Sequence, residues 1–160
     1  MLSIRRPHHD DREAWEDLFR SYLRFYGREE PQAMYDRAWS ELRRDERMHA
    51  RVACWDGRVV GIVHFLVHAN TSRADVCYLQ DLYTADDMRG QGIGRALIAA
   101  VVDFARQREC SRVYWLTHET NAVARRLYDS VGECSGFVEY EVQLQRDSPS
   151  KSQLPSATPL

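Results

Sequence analysis

The sequence lacks the features that mark nucleic-acid-binding, membrane and exported proteins. It has no run of basic residues and a formal net charge of -2, so nucleic acid is not expected as a partner. Its apolar runs are far too short to cross a bilayer. The N-terminal stretch MLSIRRPHHDDREAW contains neither an apolar signal region nor a cleavage site. We therefore expect a cytosolic protein with no membrane partner.

Cysteine and metal motifs are also scarce. Four cysteines occur, too far apart in sequence to form a CxxC metal or redox motif. They are Cys54, Cys77, Cys110 and Cys134. His64 and His68 share one face of a predicted strand, but no third ligand accompanies them, which favours cross-strand packing over a metal pair. We expect no metal ion, and reduced thiols that mostly pack as small apolar groups.

The composition is that of an ordinary globular domain. Of 160 residues, 44% are apolar and 29% are charged, and this length is enough for one domain with its own core. We predict a single domain over residues 1–145. Residues 146–160 are rich in serine and proline and have no hydrophobic periodicity, so we expect a disordered tail there.

The hydrophobic periodicity predicts an α/β fold with a mixed, mostly antiparallel central sheet flanked by helices. A strand and two helices come first, a β-hairpin and another strand follow, and then helix, strand, helix and strand alternate. Asp56-Gly57 is a type I′ turn signal inside the hairpin. The stretch from VCYLQDLYT to RVYWLT predicts a parallel crossover. GFVEYEVQL, from Gly136 to Leu144, alternates and is predicted to be the last strand.

The segment MRGQGIGRALI places three glycines at alternate positions where a helix begins. Gly90, Gly92 and Gly94 cost conformational entropy there, so their use needs a reason. The first turn of a helix exposes unpaired N–H groups, and its dipole favours negative charge. Glycines let the backbone approach an anion closely, and Arg89 adds a cation. The segment therefore predicts a phosphate or pyrophosphate site, with an unliganded glycine turn as the alternative.

Two familiar phosphate motifs are excluded by the spacing. No Gly-Lys-Ser/Thr follows, which excludes the Walker loop. The spacing is GxGxG rather than GxGxxG, and no acidic residue ends a following strand at the right distance, which argues against a dinucleotide-binding oxidoreductase.

Three segments together resemble the GNAT superfamily of N-acetyltransferases. RGQGIG, from Arg89 to Gly94, matches the signature Q/R-x-x-G-x-G/A of that superfamily. LQDLYT resembles its central strand, and NAVARRLY resembles its N-x-x-A-x-x-x-Y helix. The order of predicted elements over residues 3–145 is also similar, and the local sequence is most similar to the small polyamine, histone and D-amino-acid acetyltransferase branch. The resemblance implies the GNAT-like acyl-CoA N-acyltransferase fold.

The resemblance implies acetyl-CoA as acetyl donor and names the residues that would bind it. The backbone amides of the glycine segment would hold its pyrophosphate, supported by Arg89 and Gly90. Those amides belong to Gln91, Gly92, Ile93, Gly94 and Arg95. The backbone of Leu82, Tyr83 and Thr84 would bind the pantetheine arm as an added strand does. One face of the NAVARRLY helix would complete the site through Asn121, Ala124 and Tyr128, although Asn121 is also suited to cap that helix.

The resemblance also implies catalytic roles. Tyr128 would protonate the departing thiolate, and unperturbed pKa values of about 10 for tyrosine and about 8.5 for a thiol make that transfer nearly balanced. The N–H of Leu82, freed by a bulge, would polarise the thioester carbonyl. The group that deprotonates the amine stays open, because Gln80 stands where some relatives have a glutamate. Asp81 is acidic, but strand alternation is expected to turn it to the opposite face; His118, Glu119 or a water relay are the alternatives.

The first two helices would form the acceptor wall, with Phe25, Tyr26, Gln80 and His118 as candidate substrate contacts. The resemblance thus implies an enzyme that transfers acetyl from acetyl-CoA to a primary amine by direct attack in a ternary complex. The amine would be a small amine, an amino acid or a lysine side chain. The absence of a carboxylate at Gln80 keeps a catalytically silent acyl-CoA-binding or sensing protein as the alternative. A homodimer formed through the last strand is also implied.

Overall fold

The computed structural model describes residues 1–144; the predicted tail lies outside the described residues. Within this range the chain forms five strands and four helices. In chain order they are β1 (Leu2–Arg5), α1 (Arg12–Phe25), α2 (Gln32–Arg44), β2 (His49–Trp55), β3 (Arg58–His68), β4 (Val76–Thr84), α3 (Ile93–Gln107), β5 (Arg112–Tyr114) and α4 (Ala122–Tyr128).

The strands form one sheet in the order β1-β2-β3-β4-β5, and this confirms the predicted fold class. The first three pairings are antiparallel, and β4 pairs with β5 in parallel through the α3 crossover. The β2–β3 connection is the predicted tight turn, since Asp56 and Gly57 both have positive φ, at 48° and 84°.

Helices cover both faces of the sheet. The apolar side of α3 packs on one face in a cluster that includes Phe65, Leu79 and Leu97. α1 and α2 cover the other face, where Trp15, Phe19 and other buried residues pack on β2 and β3. Full burial of each such side chain contributes about 1.5–3 kcal/mol, so these two clusters fix the helices on the sheet.

Gly61 of β3 lets α3 lie close to the sheet. A Cβ at this position would stand 3.0 Å from Ile93 Cγ2, 3.1 Å from Leu97 Cδ1 and 3.2 Å from the Tyr83 carbonyl oxygen. The first turn of α3 therefore rests directly on β3, beside the end of β4.

The prediction of a last strand over Gly136–Leu144 is wrong within the described residues. This segment forms no strand, and its alternating Val138, Tyr140, Val142 and Leu144 are 73–91% exposed. The segment has the composition of a strand, but a strand needs a hydrogen-bonding neighbour, and none of the described strands pairs with it. β5 is also shorter than the predicted RVYWLT, because it ends at Tyr114.

No helix within residues 1–144 is long and apolar enough to cross a membrane.

Candidate active site

A cleft opens where β4 and β5 separate. The two strands pair over only three residues each, ending at Tyr78 and Tyr114, whereas β4 continues to Thr84. The edge of β4 that carries Leu82, Tyr83 and Thr84 therefore has no strand beside it among the described residues. These three residues are half-buried, and the backbone groups that point to this edge offer an extended ligand a place to pair.

The glycine segment lies at one end of this cleft and is shaped to receive an anion. Gly90 and Gly92 have φ of 77° and 78°, and Gly92 is the N-cap residue of α3. A Cβ at either position would meet nothing within 4 Å, so the space over both is open. Since the first helical amide bonded to Gly92 is that of Ala96, the preceding N–H groups are available to a ligand. This cradle fits a pyrophosphate.

Charged side chains hold the glycine segment from outside. Arg89 forms an ion pair with Asp86 at 2.7 Å, and the Tyr83 hydroxyl donates to the same carboxylate at 2.8 Å. On the other side, Arg95 donates to the Ser130 hydroxyl at 2.8 Å. Arg89 is thus anchored to the turn that precedes the glycines.

Gly94 brings α4 against the start of α3. A Cβ at Gly94 would stand 3.0 Å from Leu127 Cδ2, so only glycine permits this approach without displacing Leu127. Asn121 caps α4, because its Oδ1 accepts the Ala124 N–H at 3.2 Å. Ala124, Leu127 and Tyr128 form the half-buried face of α4.

Tyr128 is more weakly acidic than the unperturbed value suggests. Its ring lies 5.4 Å from that of Trp115. Burial, with a smaller contribution from Tyr26, raises the pKa of Tyr128 to about 12. The hydroxyl stays protonated at neutral pH and can donate a hydrogen bond, but proton transfer to a thiolate is no longer balanced.

A β-bulge in β4 changes the face on which Asp81 lies. His64 of β3 is paired with Asp81, but the next residue, Phe65, is paired with Leu79, so Gln80 has no partner of its own. Leu79 packs in the α3 cluster, whereas Asp81 contacts His64 on the α1 face. Strict alternation would place residues 79 and 81 on one face; with the bulge between them, Asp81 lies on the face that α1 covers.

Asp81 belongs to a buried polar chain. Trp15 Nε1 lies 2.8 Å from His64 Nε2, and His64 Nδ1 lies 2.9 Å from Asp81 Oδ2. All three residues are buried. The sequence predicts cross-strand packing for His64, but its partner is not identifiable from sequence because the bulge sets the register. His68 lies apart, exposed, with its Nε2 2.9 Å from the Tyr114 hydroxyl.

Aromatic residues of α1 form the opposite wall. Tyr22 packs against Tyr26 at 5.1 Å and Tyr83 at 6.4 Å between ring centroids. Burial, then the Asp81 charge, and to a lesser extent Tyr26, raise the pKa of Tyr22. The helical periodicity of α1 favours a core role for Tyr22. Tyr22 also lies four residues before Tyr26, so the two side chains share one face of the helix, and this spacing could have identified Tyr22 as a neighbour of the site.

The other candidate substrate contacts lie at the rim. Phe25 and Tyr26 are 60% and 42% exposed, and Gln80 is exposed on β4. The side chains of His118 and Glu119 are exposed after β5, where their carbonyl groups accept hydrogen bonds from the Asn121 N–H and the Arg125 side chain. No hydrogen bond of the described residues joins either side chain to Asp81.

One buried polar atom in this region has no partner. Thr117 Oγ1, on the segment that follows β5, makes no hydrogen bond within residues 1–144. A buried hydroxyl is normally satisfied, so a ligand in the cleft would supply what is missing. Over the same residues no group of three His, Cys, Asp or Glu side chains could hold a metal ion.

Comparison with known proteins gives this geometry a family context. The sequence model of the acetyltransferase (GNAT) family matches residues 15–132. The D-amino-acid N-acetyltransferase HPA3 of Saccharomyces cerevisiae is 28% identical over 140 residues, which cover 82% of this chain and 84% of HPA3.

Solved structures share the fold. A transcriptional regulator from Bacillus halodurans C-125 aligns with a TM-score of 0.80 and 22% identity, over 90% of this chain and all of that one. AAC(6')-Iy in complex with the bisubstrate analogue CoA-S-monomethyl-acetylneamine aligns with a TM-score of 0.78 and 18% identity, over 89% of this chain and 98% of that one.

Proposed function

The chain belongs to the acetyltransferase (GNAT) family, and we propose that it transfers the acetyl group of acetyl-CoA to a primary amine by direct attack within a ternary complex. One observation carries the proposal: β4 holds the buried Asp81 carboxylate and leads directly into the anion cradle at Gly90–Gly92. The cradle suits a nucleotide pyrophosphate, and the carboxylate suits an amine.

Binding of the cosubstrate would use backbone more than side chains. The amides from Gln91 to Arg95 would donate to the pyrophosphate, where the dipole of α3 also favours negative charge. The free edge of β4 at Leu82, Tyr83 and Thr84 would pair with the pantetheine arm. Asn121 and Ala124 would border the arm from α4, with Ala124 leaving the room that a larger side chain would fill.

The reaction would form a C–N bond and break the C–S bond of the thioester, which acetyl-CoA supplies as an activated acetyl group. An amine is almost fully protonated at neutral pH and must lose a proton to attack. Asp81 would receive that proton, since the bulge turns its carboxylate toward the acceptor wall. The N–H of Leu82 would donate to the carbonyl oxygen, and the Tyr128 hydroxyl would donate to the departing sulfur.

The acceptor would be a small amine, an amino acid or a lysine side chain. It would enter past Phe25 and Tyr26 at the rim. The similarity to HPA3, a D-amino-acid N-acetyltransferase, supports an amino-acid amine as one member of this class. The alternative of a silent acyl-CoA sensor rests on Gln80, and a carboxylate on the acceptor side at Asp81 removes that motive.

We also propose that two copies associate through residues 136–144 and that the protein acts in the cytosol. The exposed apolar side chains of this segment alternate as in a strand, and the outer edge of β5 pairs with no other described strand. In a two-fold dimer, residues 136–144 of each copy can pair as a strand with the free edge of β5 in the other copy.

The test is release of free CoA thiol from acetyl-CoA with spermidine, free lysine, D-amino acids and a basic peptide. The wild type, Tyr128→Phe and Tyr114→Phe are measured side by side. We expect amine-dependent release by the wild type and a loss of about 10²-fold in Tyr128→Phe, because the departing sulfur loses its donor.

Tyr114→Phe is the matched control, since the Tyr114 hydroxyl bonds only His68 on the exposed side. It should keep the wild-type rate. Acetyl-CoA binding by the wild type without release for any amine would contradict the proposal and support a sensor.

A further inference from the structure

The protonation state of His64 is dictated by its two partners. The indole N–H of Trp15 can only donate a hydrogen bond, and it lies 2.8 Å from His64 Nε2. Nε2 must therefore carry a lone pair, and the proton of the ring must be on Nδ1. Nδ1 lies 2.9 Å from Asp81 Oδ2, so the imidazole donates to the carboxylate.

Packing holds the ring in this arrangement. Trp15 and His64 are almost completely buried, and the Phe19 ring meets the imidazole edge-on at 4.8 Å. A doubly protonated imidazolium would direct its Nε2–H at the indole N–H, two donors facing each other. Such a contact is unfavourable in a buried site, so the neutral Nδ1–H form is selected.

Apart from His64, the titratable groups around Asp81 are phenols. The titratable groups that face it are His64 of β3, Tyr22 of α1 and Tyr78 of β4, and burial followed by the Asp81 charge raises the pKa of both phenols. Within residues 1–144 no arginine or lysine forms an ion pair with Asp81. A directed N–H donor fixes the orientation of the carboxylate oxygens.

We propose that His64 is a positioning residue: locked by Trp15 as its Nδ1–H tautomer, it holds the Asp81 carboxylate in one orientation, directed at the acceptor amine. This inference rests on the proposed acetyl transfer. The proposal gives a role to Trp15 and His64, two buried residues outside the glycine segment. It also explains how Asp81 can be the proton acceptor in a chain that has glutamine at position 80.

The tautomer is read directly by nuclear magnetic resonance on the full chain labelled with ¹⁵N at histidine. Long-range ¹H–¹⁵N correlations distinguish Nδ1–H, Nε2–H and imidazolium forms, and His64→Asn identifies the His64 signals by their loss. We expect the Nδ1–H pattern for His64 at neutral pH. An Nε2–H or imidazolium pattern would overturn the proposal.

Two substitutions test the function of the donor. In His64→Asn the side-chain NH₂ takes the place of Nδ1–H, whereas His64→Leu fills the space without a donor. For the best amine of the panel, we expect His64→Leu to lower kcat about tenfold or more and to move the acidic limb of the kcat/KM profile about one unit to higher pH. A carboxylate that loses its donor is protonated at a higher pH, and this gives the direction of the shift. His64→Asn should restore most of both, and acetyl-CoA affinity should stay unchanged in each variant.

Equal profiles for His64→Asn and His64→Leu would overturn the positioning role, as would a wild-type profile in His64→Leu. If His64→Leu fails to bind acetyl-CoA through misfolding, the comparison of His64→Asn with the wild type decides: a shifted limb overturns the proposal. Failure of the proposed function has a separate signature, because a wild type inactive on every amine would still report its His64 tautomer in the spectrum.

Discussion

Two kinds of residue make this site: glycines chosen for backbone conformation, and polar side chains chosen for their partners. Gly92 begins α3 in a left-handed conformation with open space above it, so its role concerns the backbone and what approaches it. Asp81, in contrast, is defined by the donor on His64 and by the phenols that face it. The glycines and the polar side chains can therefore be tested by separate substitutions.

Gly92→Ala should weaken acetyl-CoA binding, and Gly57→Ala provides a matched control. Both glycines have positive φ, and an added methyl group would meet nothing within 4 Å at either one, so either alanine strains the backbone by about 1–2 kcal/mol. Thermal denaturation should show similar destabilisation of both variants. Only Gly92→Ala should raise the KM for acetyl-CoA, because only its methyl group lies where a phosphate would bind. A similar KM in both variants would contradict the cradle.

At the scale of elements, the sequence predicted what depends on neighbouring residues and missed what depends on distant ones. The Asp56-Gly57 turn and the Asn121 cap are local, and both form as their residue types favour. The bulge at Gln80 depends on how β3 and β4 align, and no local signal in LQDLYT encodes that alignment, so only the family resemblance implied a bulge near Leu82. Residues 136–144 have strand composition, but strand formation requires a partner that sequence alone does not supply.

The contact between α3 and β3 gives a prediction about stability. Gly61→Ala should destabilise the fold by about 1–3 kcal/mol, because the added methyl group meets the Tyr83 carbonyl, which is backbone and cannot turn aside, and the Ile93 side chain. The midpoint of chemical denaturation measures the loss. A midpoint equal to or above that of the wild type would contradict the close packing of α3 on the sheet.

At the scale of the whole molecule, the exposed apolar segment 136–144 predicts association. A chain of 18.7 kDa should have about twice that mass in solution by light scattering. Val142→Asp should shift the mass toward the monomer, because a charge placed in a strand interface between copies is costly. Val123→Asp, on the exposed side of α4, is the control and should stay dimeric. A monomeric wild type would contradict the proposed pairing.

The measurement that bears most directly on the central claim is the kinetics of Asp81→Asn together with its affinity for acetyl-CoA. Asparagine keeps the size of the side chain and can still accept the His64 hydrogen bond, but it cannot take a proton from an amine. Asp103→Asn, which removes an exposed carboxylate of α3 paired with Arg106, serves as control. If Asp81 receives the proton of the acceptor amine, Asp81→Asn should lose about 10²-fold or more in kcat with unchanged acetyl-CoA affinity, and Asp103→Asn should lose neither. A kcat close to that of the wild type in Asp81→Asn would contradict the account.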